Sequence, residues 1–432
     1  MKSPSAAVSL GDTVPPSDRS QATADAKLIS LVAVAHGFSH FYQLVLPPLF
    51  PFLVVSLDTT YAQLGLVLTV FGIASGVAQT PIGFLVDRLG GARVLIIGLA
   101  VLSLSVVGFG LATNIGMLMG AALLGGIANA TFHPADYAIL SAKVHPGRIA
   151  RAFSFHGVSG NIGWALAPLV MLGLHAQVGL SAAFIVVGLA GLSVAGLLIV
   201  KRSTLSAPIR TLTDDNEKDG TDPIDSTADG IALLKSKSVV LCFVFQILHS
   251  MASGGIRSFG IVALAGIYGF TADDPNYALL GAGLTAYLVS GSFGNLLSGF
   301  LIDRTGRSQT IFTVSILTIF VIVIAIGYFT PTLWVVIGLL VIAGTLQGSL
   351  LPARDVLIRA ISPPGQIGKV FGFTSSGLSL GNAIMPPLFG WLIDQGNPTW
   401  VFYASGGFIL CALATFTQTS KHALASPGLE HR

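Results

Sequence analysis

The chain is 432 residues long, 53% apolar and only 9% charged, with a formal net charge of +3 and a mean hydropathy of +0.80. A soluble domain carries about 25% charged residues because its surface faces water, so this composition excludes a soluble protein and puts most of the surface against lipid. Two cysteines, Cys242 and Cys411, lie inside apolar runs and make neither a disulfide framework nor a metal-ligand spacing; both read as packing residues.

In chain order, residues 1–26 are rich in Ser, Pro, Asp and Ala. They read as a disordered tail, without the basic start and cleavage site of a secretory signal. A bilayer core of roughly 30 Å needs about 20 apolar residues per helix. Runs of that size predict spans near 28–56, 61–86, 93–112, 115–142, 150–174 and 179–200. A polar stretch over 201–237 follows, and spans resume near 238–267, 276–302, 309–329, 331–360, 368–393 and 398–418. The expected fold is an all-α membrane protein of twelve transmembrane helices in two six-helix bundles, 27–200 and 238–418. The linker 201–237 and the tails 1–26 and 419–432 flank them.

An even number of spans puts both termini and the linker on one side. That side collects Arg88, Arg93, Lys143, Arg148, Arg151, Arg304, Arg307 and Lys369, whereas the opposite loops hold only Asp58, Asp273, Asp274 and Asp394 as charges. Under the positive-inside rule the termini are expected in the cytoplasm and the protein in the inner (plasma) membrane.

The halves repeat each other. Gly83-Phe84-Leu85-Val86-Asp87-Arg88-Leu89-Gly90 returns as Gly299-Phe300-Leu301-Ile302-Asp303-Arg304-Thr305-Gly306, an offset of 216. Pro134, Pro146, Gly147, Ile149, Phe153, Phe155, Gly163, Ala165 and Pro168 return as Pro352, Pro364, Gly365, Ile367, Phe371, Phe373, Gly381, Ala383 and Pro386, an offset of 218. Parallel repeats of this kind are related by an axis along the membrane normal, with a substrate site near the midplane between them.

The two loop strings resemble the G-x-L-x-D-R-x-G-R motif of the major facilitator superfamily. The first copy departs from it, with Gly91 and Ala92 where a basic residue is usual; the second keeps Arg307. Thr131-Phe132-His133-Pro134, the Phe153–Pro168 stretch with its Gly-Asn-Ile-Gly, and Ser39-His40 are similar to the fosmidomycin-resistance-like branch. The resemblance implies a proton-driven carrier, in some members an exporter of an anionic drug, with cytoplasmic latches at Asp87, Arg88, Asp303, Arg304 and Arg307. It also implies that spans one, four, seven and ten line a central cavity.

Polar residues inside spans are the candidates for function, because a charge in lipid costs several kcal/mol unless it faces a cavity or a partner. Helical spacing groups His36, His40 and Gln43; Asn129, His133 and Asp136; and Gln246, His249, Ser253 and Arg257, each set on one face. Span ten supplies Gln347, Arg354, Asp355 and Arg359. At offset 218, Asp136 is the symmetry mate of Arg354. An inter-half gate, a pair within one half that involves Arg354, and direct substrate contact are three open readings of those charges. Asp355 joins the gating set, and His40, Gln43, Asn129, Gln246, His249, Gln347 and Arg354 join Arg257 in the substrate set.

Arg257 has no acid near it in its helix. Its planar fork suits a carboxylate or a phosphonate, and the plain alternative is snorkelling to the outer interface. Asp136 with His133, at i and i+3, is the first expectation for a proton site, joined by His36; His156 and His249 titrate in the same range. Asn161, Trp164 and Pro168, with Ser376, Ser379 and Asn382, read equally as pathway lining and as close packing.

The expected function is a secondary active transporter of a small organic anion, coupled to protons, working as a monomer with no cofactor and no nucleic-acid partner. A proton-driven multidrug or antimetabolite exporter is the alternative within that class. A non-transporting membrane sensor is the alternative outside it, for which the short linker and tails leave no output domain. No G-x-x-x-x-G-K-S/T loop supports ATP-driven transport, and no H-E-x-x-H pattern supports a zinc protease, so an enzyme is not expected.

Overall fold

The computed structural model of the chain describes residues 18–206, 233–363 and 367–425. The expected acidic run of the linker and the ends of both tails lie outside the described residues. Fifteen α-helices are described here: α1 (Asp18–Gln43), α2 (Phe50–Ser56), α3 (Tyr61–Leu89), α4 (Gly91–Leu111), α5 (Ile115–Asn129), α6 (Phe132–Lys143), α7 (Ile149–Val178), α8 (Leu180–Val200), the short α9 (Arg202–Leu205), α10 (Lys237–Tyr268), α11 (Pro275–Thr305), α12 (Ser308–Phe329), α13 (Leu333–Ala360), α14 (Ile367–Asp394) and α15 (Trp400–Ala425). Among the described residues, eleven spans are long and apolar enough to cross a membrane. The twelfth crossing is α14, whose apolar run is diluted by Thr374, Ser375, Ser376, Ser379, Asn382, Pro386 and Pro387.

Two predicted spans are interrupted, and prolines explain both. Span one stops at Gln43 and resumes as a 3-10 turn over Pro47–Leu49 and then α2, because Pro47 and Pro48 donate no hydrogen bond to the preceding turn. Span four breaks at Ala130 and Thr131 between α5 and α6. Pro134, four residues after Ala130, cannot bond that carbonyl, and Thr131 Oγ1 turns back to the Ala128 carbonyl at 2.7 Å. The symmetry mate Pro352 stays inside a continuous α13, so the halves differ here.

Residues 18–26, expected to belong to a disordered tail, are helical, since α1 begins at Asp18. Asp25 is 3% exposed; its Oδ2 accepts from Arg148 Nε at 2.8 Å and from the His145 backbone N–H at 3.4 Å. That anchor fixes the extra turns against the loop before α7. At the other end α15 runs on past residue 418 to Ala425.

Within each half, helices approach closely through glycine. A Cβ on Gly163 would collide with the Gly37 carbonyl, and one on Gly348 with the Gly291 carbonyl, the small-residue contact by which membrane helices pack. The halves meet where α3 packs on α14 and α7 on α11. Contact is concentrated at the end bearing loops 57–60 and 394–399. There Asp394 accepts from the backbone N–H groups of Tyr61 (2.9 Å) and Ala62 (2.8 Å), and Gly65 sits on the backbone of Pro386 and Gly390 on that of Tyr61. Tyr277 Oη donates to the Pro48 carbonyl at 3.0 Å, and Thr285 Oγ1 to the Ala165 carbonyl at 2.8 Å.

Farther along α3 the same face carries Gly76 and Gly83, and neither has anything within 4 Å of a Cβ; Gly157 on α7 and Gly372 on α14 are equally open. The halves therefore touch at the loop end and diverge toward the end that bears the termini.

Candidate functional site

Two polar centres stand out, one inside the first half and one lined by both halves. In the first, Asp136 on α6 is 0% exposed, His36 on α1 is 1% and His156 on α7 is 3%. Asp136 Oδ2 lies 3.1 Å from His36 Nδ1 and 3.0 Å from His156 Nε2, while its Oδ1 has no partner among the described residues. An ionised Asp136 accepts from both rings, which fixes their tautomers and leaves His36 Nε2 and His156 Nδ1 with lone pairs.

The rings of His36 and His156 stack at 3.5 Å, and His40 lies 4.5 Å from His36. Gly160 makes this room, since its Cβ would fall 2.8 Å from His40 Nδ1 and 3.1 Å from His36 Nε2. His36, His133 and His156 offer ring nitrogens within 4.8 Å of one another. Two of the three are held by Asp136 through one ring nitrogen each.

The partner of Asp136 is thus not His133, the expectation from helical spacing. His133 is exposed, with its ring 5.3 Å from His36 and 6.0 Å from His156. Residues three apart on one helix lie side by side, whereas α1 and α7 bring their histidines onto Asp136 from across the packing face.

Gln43 and Asn129 form a second network of this half. Gln43 Nε2 donates to Asn129 Oδ1 at 3.3 Å, Asn129 Nδ2 to Ser75 Oγ at 3.0 Å, and Trp164 Nε1 to Gln43 Oε1 at 3.2 Å. Both residues are committed to protein partners rather than to the cavity wall.

The second centre is a cavity of ≈ 870 Å³, counting the part open to solvent. Its wall includes His249, Arg257, Gln347, Arg354 and Asn382 from the second half, and Asn161 and Trp164 from the first. Arg257 does not reach for the interface. Its Nη2 donates to Asn382 Oδ1 at 3.0 Å, and its Cζ lies 4.9 Å from the Trp164 ring, a cation–π contact. Among the described residues no carboxylate pairs with it. Gln347 Nε2 lies 2.9 Å from His249 Nε2. Gln246 is fully buried behind this wall, with neither side-chain atom bonded among the described residues.

Arg354 lines the cavity but is held by its neighbour, with Nε 2.9 Å and Nη2 2.8 Å from Asp355 Oδ1. It does not meet Asp136, whose Oδ2 is taken by the two histidines. In this structure Asp355 pairs with Arg354. The expected latch residues Asp87, Arg88, Asp303, Arg304 and Arg307 are all exposed, with no ion pair among the described residues. They sit at the end where the halves stand apart.

The family model described as Major Facilitator Superfamily matches residues 29–281 and 242–431. The chain belongs to the Major Facilitator Superfamily. It is a multi-pass membrane transporter, not an enzyme. It is 26% identical over 378 residues to the MFS-type transporter YfnC of Bacillus subtilis, covering 86% of this chain and 88% of that one. It is 25% identical over 366 residues to the fosmidomycin resistance protein of Escherichia coli, covering 83% and 85%. In fold it is similar to the crystal structure of a bacterial homolog of the human lysosomal transporter Spinster, inward-facing and unoccupied, with a TM-score of 0.78 at 17% identity over 93% of this chain and 98% of that one.

Three contributors had only weak signals in the sequence. His156 stands out only as one of several span histidines, and Trp164 and Asn382 read as packing as readily as function.

Proposed function

We propose that this transporter carries a small organic anion by alternating access, driven by protons, with its termini in the cytoplasm. The observation that carries the reading is Arg257. It is half-buried on the cavity wall and, among the described residues, bonded only to a neutral amide and a ring, while the described wall includes two arginines and no carboxylate. A buried cation without a counter-charge is costly unless a ligand supplies one, and a guanidinium fork matches a carboxylate or phosphonate. Arg354 already has Asp355, so one unpaired positive charge remains, which favours a monoanion. His249 and Gln347 supply polar contacts beside it.

Proton coupling is assigned to Asp136 with His36 and His156, and His133 stands at its open edge. Imidazoles change charge nearer to physiological pH than other side chains, and the carboxylate shared between two of them is the group best placed to take up or release a proton. With the halves apart at the end bearing the termini, both centres belong to a state facing the cytoplasm. The basic loops on that side support the orientation.

Purified protein in liposomes tests the anion reading with fosmidomycin, benzoate, lactate and methylphosphonate as probes. Saturable uptake of at least one probe, lost in Arg257→Gln, is expected; flux linear in concentration, or uptake indifferent to that substitution, contradicts it. Export is a second reading, favoured by likeness to a fosmidomycin resistance protein. Deleting the gene and measuring growth inhibition by fosmidomycin separates export, which predicts greater sensitivity, from import, which predicts less.

A further inference from the structure

The cavity and the histidine–carboxylate cluster are separate centres, yet one side chain touches both. Trp164 on α7 carries Arg257 Cζ at 4.9 Å and the His40 ring at 4.3 Å. His40 in turn lies 4.5 Å from His36, which is bonded to Asp136. The indole is held in place, because Nε1 donates to Gln43 Oε1, which Asn129 and Ser75 anchor to α5 and α3. On the far side, Arg257 is aimed by Asn382 across Gly254, where a Cβ would meet the Asn382 amide.

Trp164 also has a special place in the wall. Only it and Asn161 belong to the first half; the remaining wall residues come from the second. An anion held on Arg257 therefore meets the first half through these two side chains. A ligand shifts a conformational equilibrium only by binding one state better than the other. To draw the halves together, the anion must gain contact with the half it does not yet hold, and the rigid indole is the surface positioned to give it.

We propose that Trp164 is the coupling residue of this carrier: it transmits anion occupancy at Arg257 to the His40–His36–Asp136–His156 cluster. It is a positioning residue for coupling rather than a principal source of affinity. The proposal rests on the anion-carrier reading above. Among the described residues, the charged and titratable groups facing this path are His36 and His40 on α1, His133, Asp136 and Tyr137 on α6, His156 on α7, His249 and Arg257 on α10, Tyr287 on α11 and Arg354 on α13. A positive charge gained by the cluster repels Arg257 across the indole, and an anion on Arg257 removes that repulsion. Proton and anion therefore favour each other's binding, and by linkage the effect is reciprocal.

The test compares Trp164→Leu and Trp164→Phe with the unmodified protein in liposomes, using fosmidomycin, benzoate, lactate and methylphosphonate one by one. Three quantities are read: probe affinity, probe exchange without a pH gradient, and accumulation driven by one. Trp164→Leu, which alters the cavity wall, is expected to weaken affinity and slow exchange by about threefold, while the ratio of driven accumulation to exchange falls by about tenfold or more, the usual span of coupling between sites. Saturable exchange by the variant also shows that it folds. Trp164→Phe, which restores a flat ring, is expected to recover most of the driven accumulation.

The proposal is overturned if Trp164→Leu accumulates probe like the unmodified protein, if accumulation falls only in proportion to exchange, or if Phe is as defective as Leu. Absence of saturable uptake of every probe by the unmodified protein overturns instead the carrier reading on which the proposal rests.

Discussion

Asp136 is the most committed residue of the first half: fully buried, bonded through one oxygen to two imidazoles, with its other oxygen free of partners among the described residues. Asp136→Asn keeps the shape of the side chain but removes its exchangeable charge. It is expected to abolish accumulation driven by a pH gradient while leaving probe exchange intact; undiminished driven uptake in vesicles would refute the assignment. In the second half, Arg257→Lys keeps the charge and gives up the planar fork. Affinity for the transported anion is expected to fall by about 1.5–3 kcal/mol, the worth of a hydrogen bond to a charged group, checked by a direct binding titration. Both residues stand out in the sequence because a charge inside an apolar run needs a reason. Their partners were not legible: Asn382 is 125 positions from Arg257, and His36 is 100 positions from Asp136. Helical spacing pointed to His133 because it can see neighbours on one helix only.

Among the elements, the contact between α3 and α14 closes the loop end. Asp394 caps the first backbone N–H groups of α3 from the opposite half, where the helix dipole also favours a negative charge. Removing it as Asp394→Ala is expected to weaken that seal by about 0.5–2 kcal/mol, the usual worth of a helix cap. Cysteine labelling from the loop side should then rise; unchanged labelling would show that the cap does not hold the halves. Gly390→Leu, forcing a side chain into the Tyr61 backbone, should act in the same direction and more strongly. Inside one half, Gly163→Val pushes against the Gly37 carbonyl and is expected to lower stability by about 1–3 kcal/mol, read as a fall in the melting temperature. Helix positions were legible from run length and the prolines from type. The role of Asp394 was not, because an outer-loop acid gives no hint that a helix of the other half ends against it.

For the whole molecule, the internal repeat and the one-sided distribution of Lys and Arg revealed the two-bundle architecture before any coordinate. They could not reveal the state of the bundles. The halves join at one end through Asp394, Gly65 and Tyr277 and part at the other, beside Gly76, Gly83, Gly157 and Gly372. That divergence explains why Asp87, Arg88, Asp303, Arg304 and Arg307 lie exposed in this state, and why Arg354 turns to Asp355 rather than to Asp136. The repeat also broke its own symmetry where function is assigned, with histidines and a carboxylate in one half and an unpaired arginine in the other. The measurement closest to the central claim is accumulation of a probe anion in liposomes under an imposed pH gradient. Saturable accumulation beyond equilibrium, abolished by Asp136→Asn and by Arg257→Gln, is the predicted result. Uptake that only equilibrates, or that ignores the gradient, would contradict it.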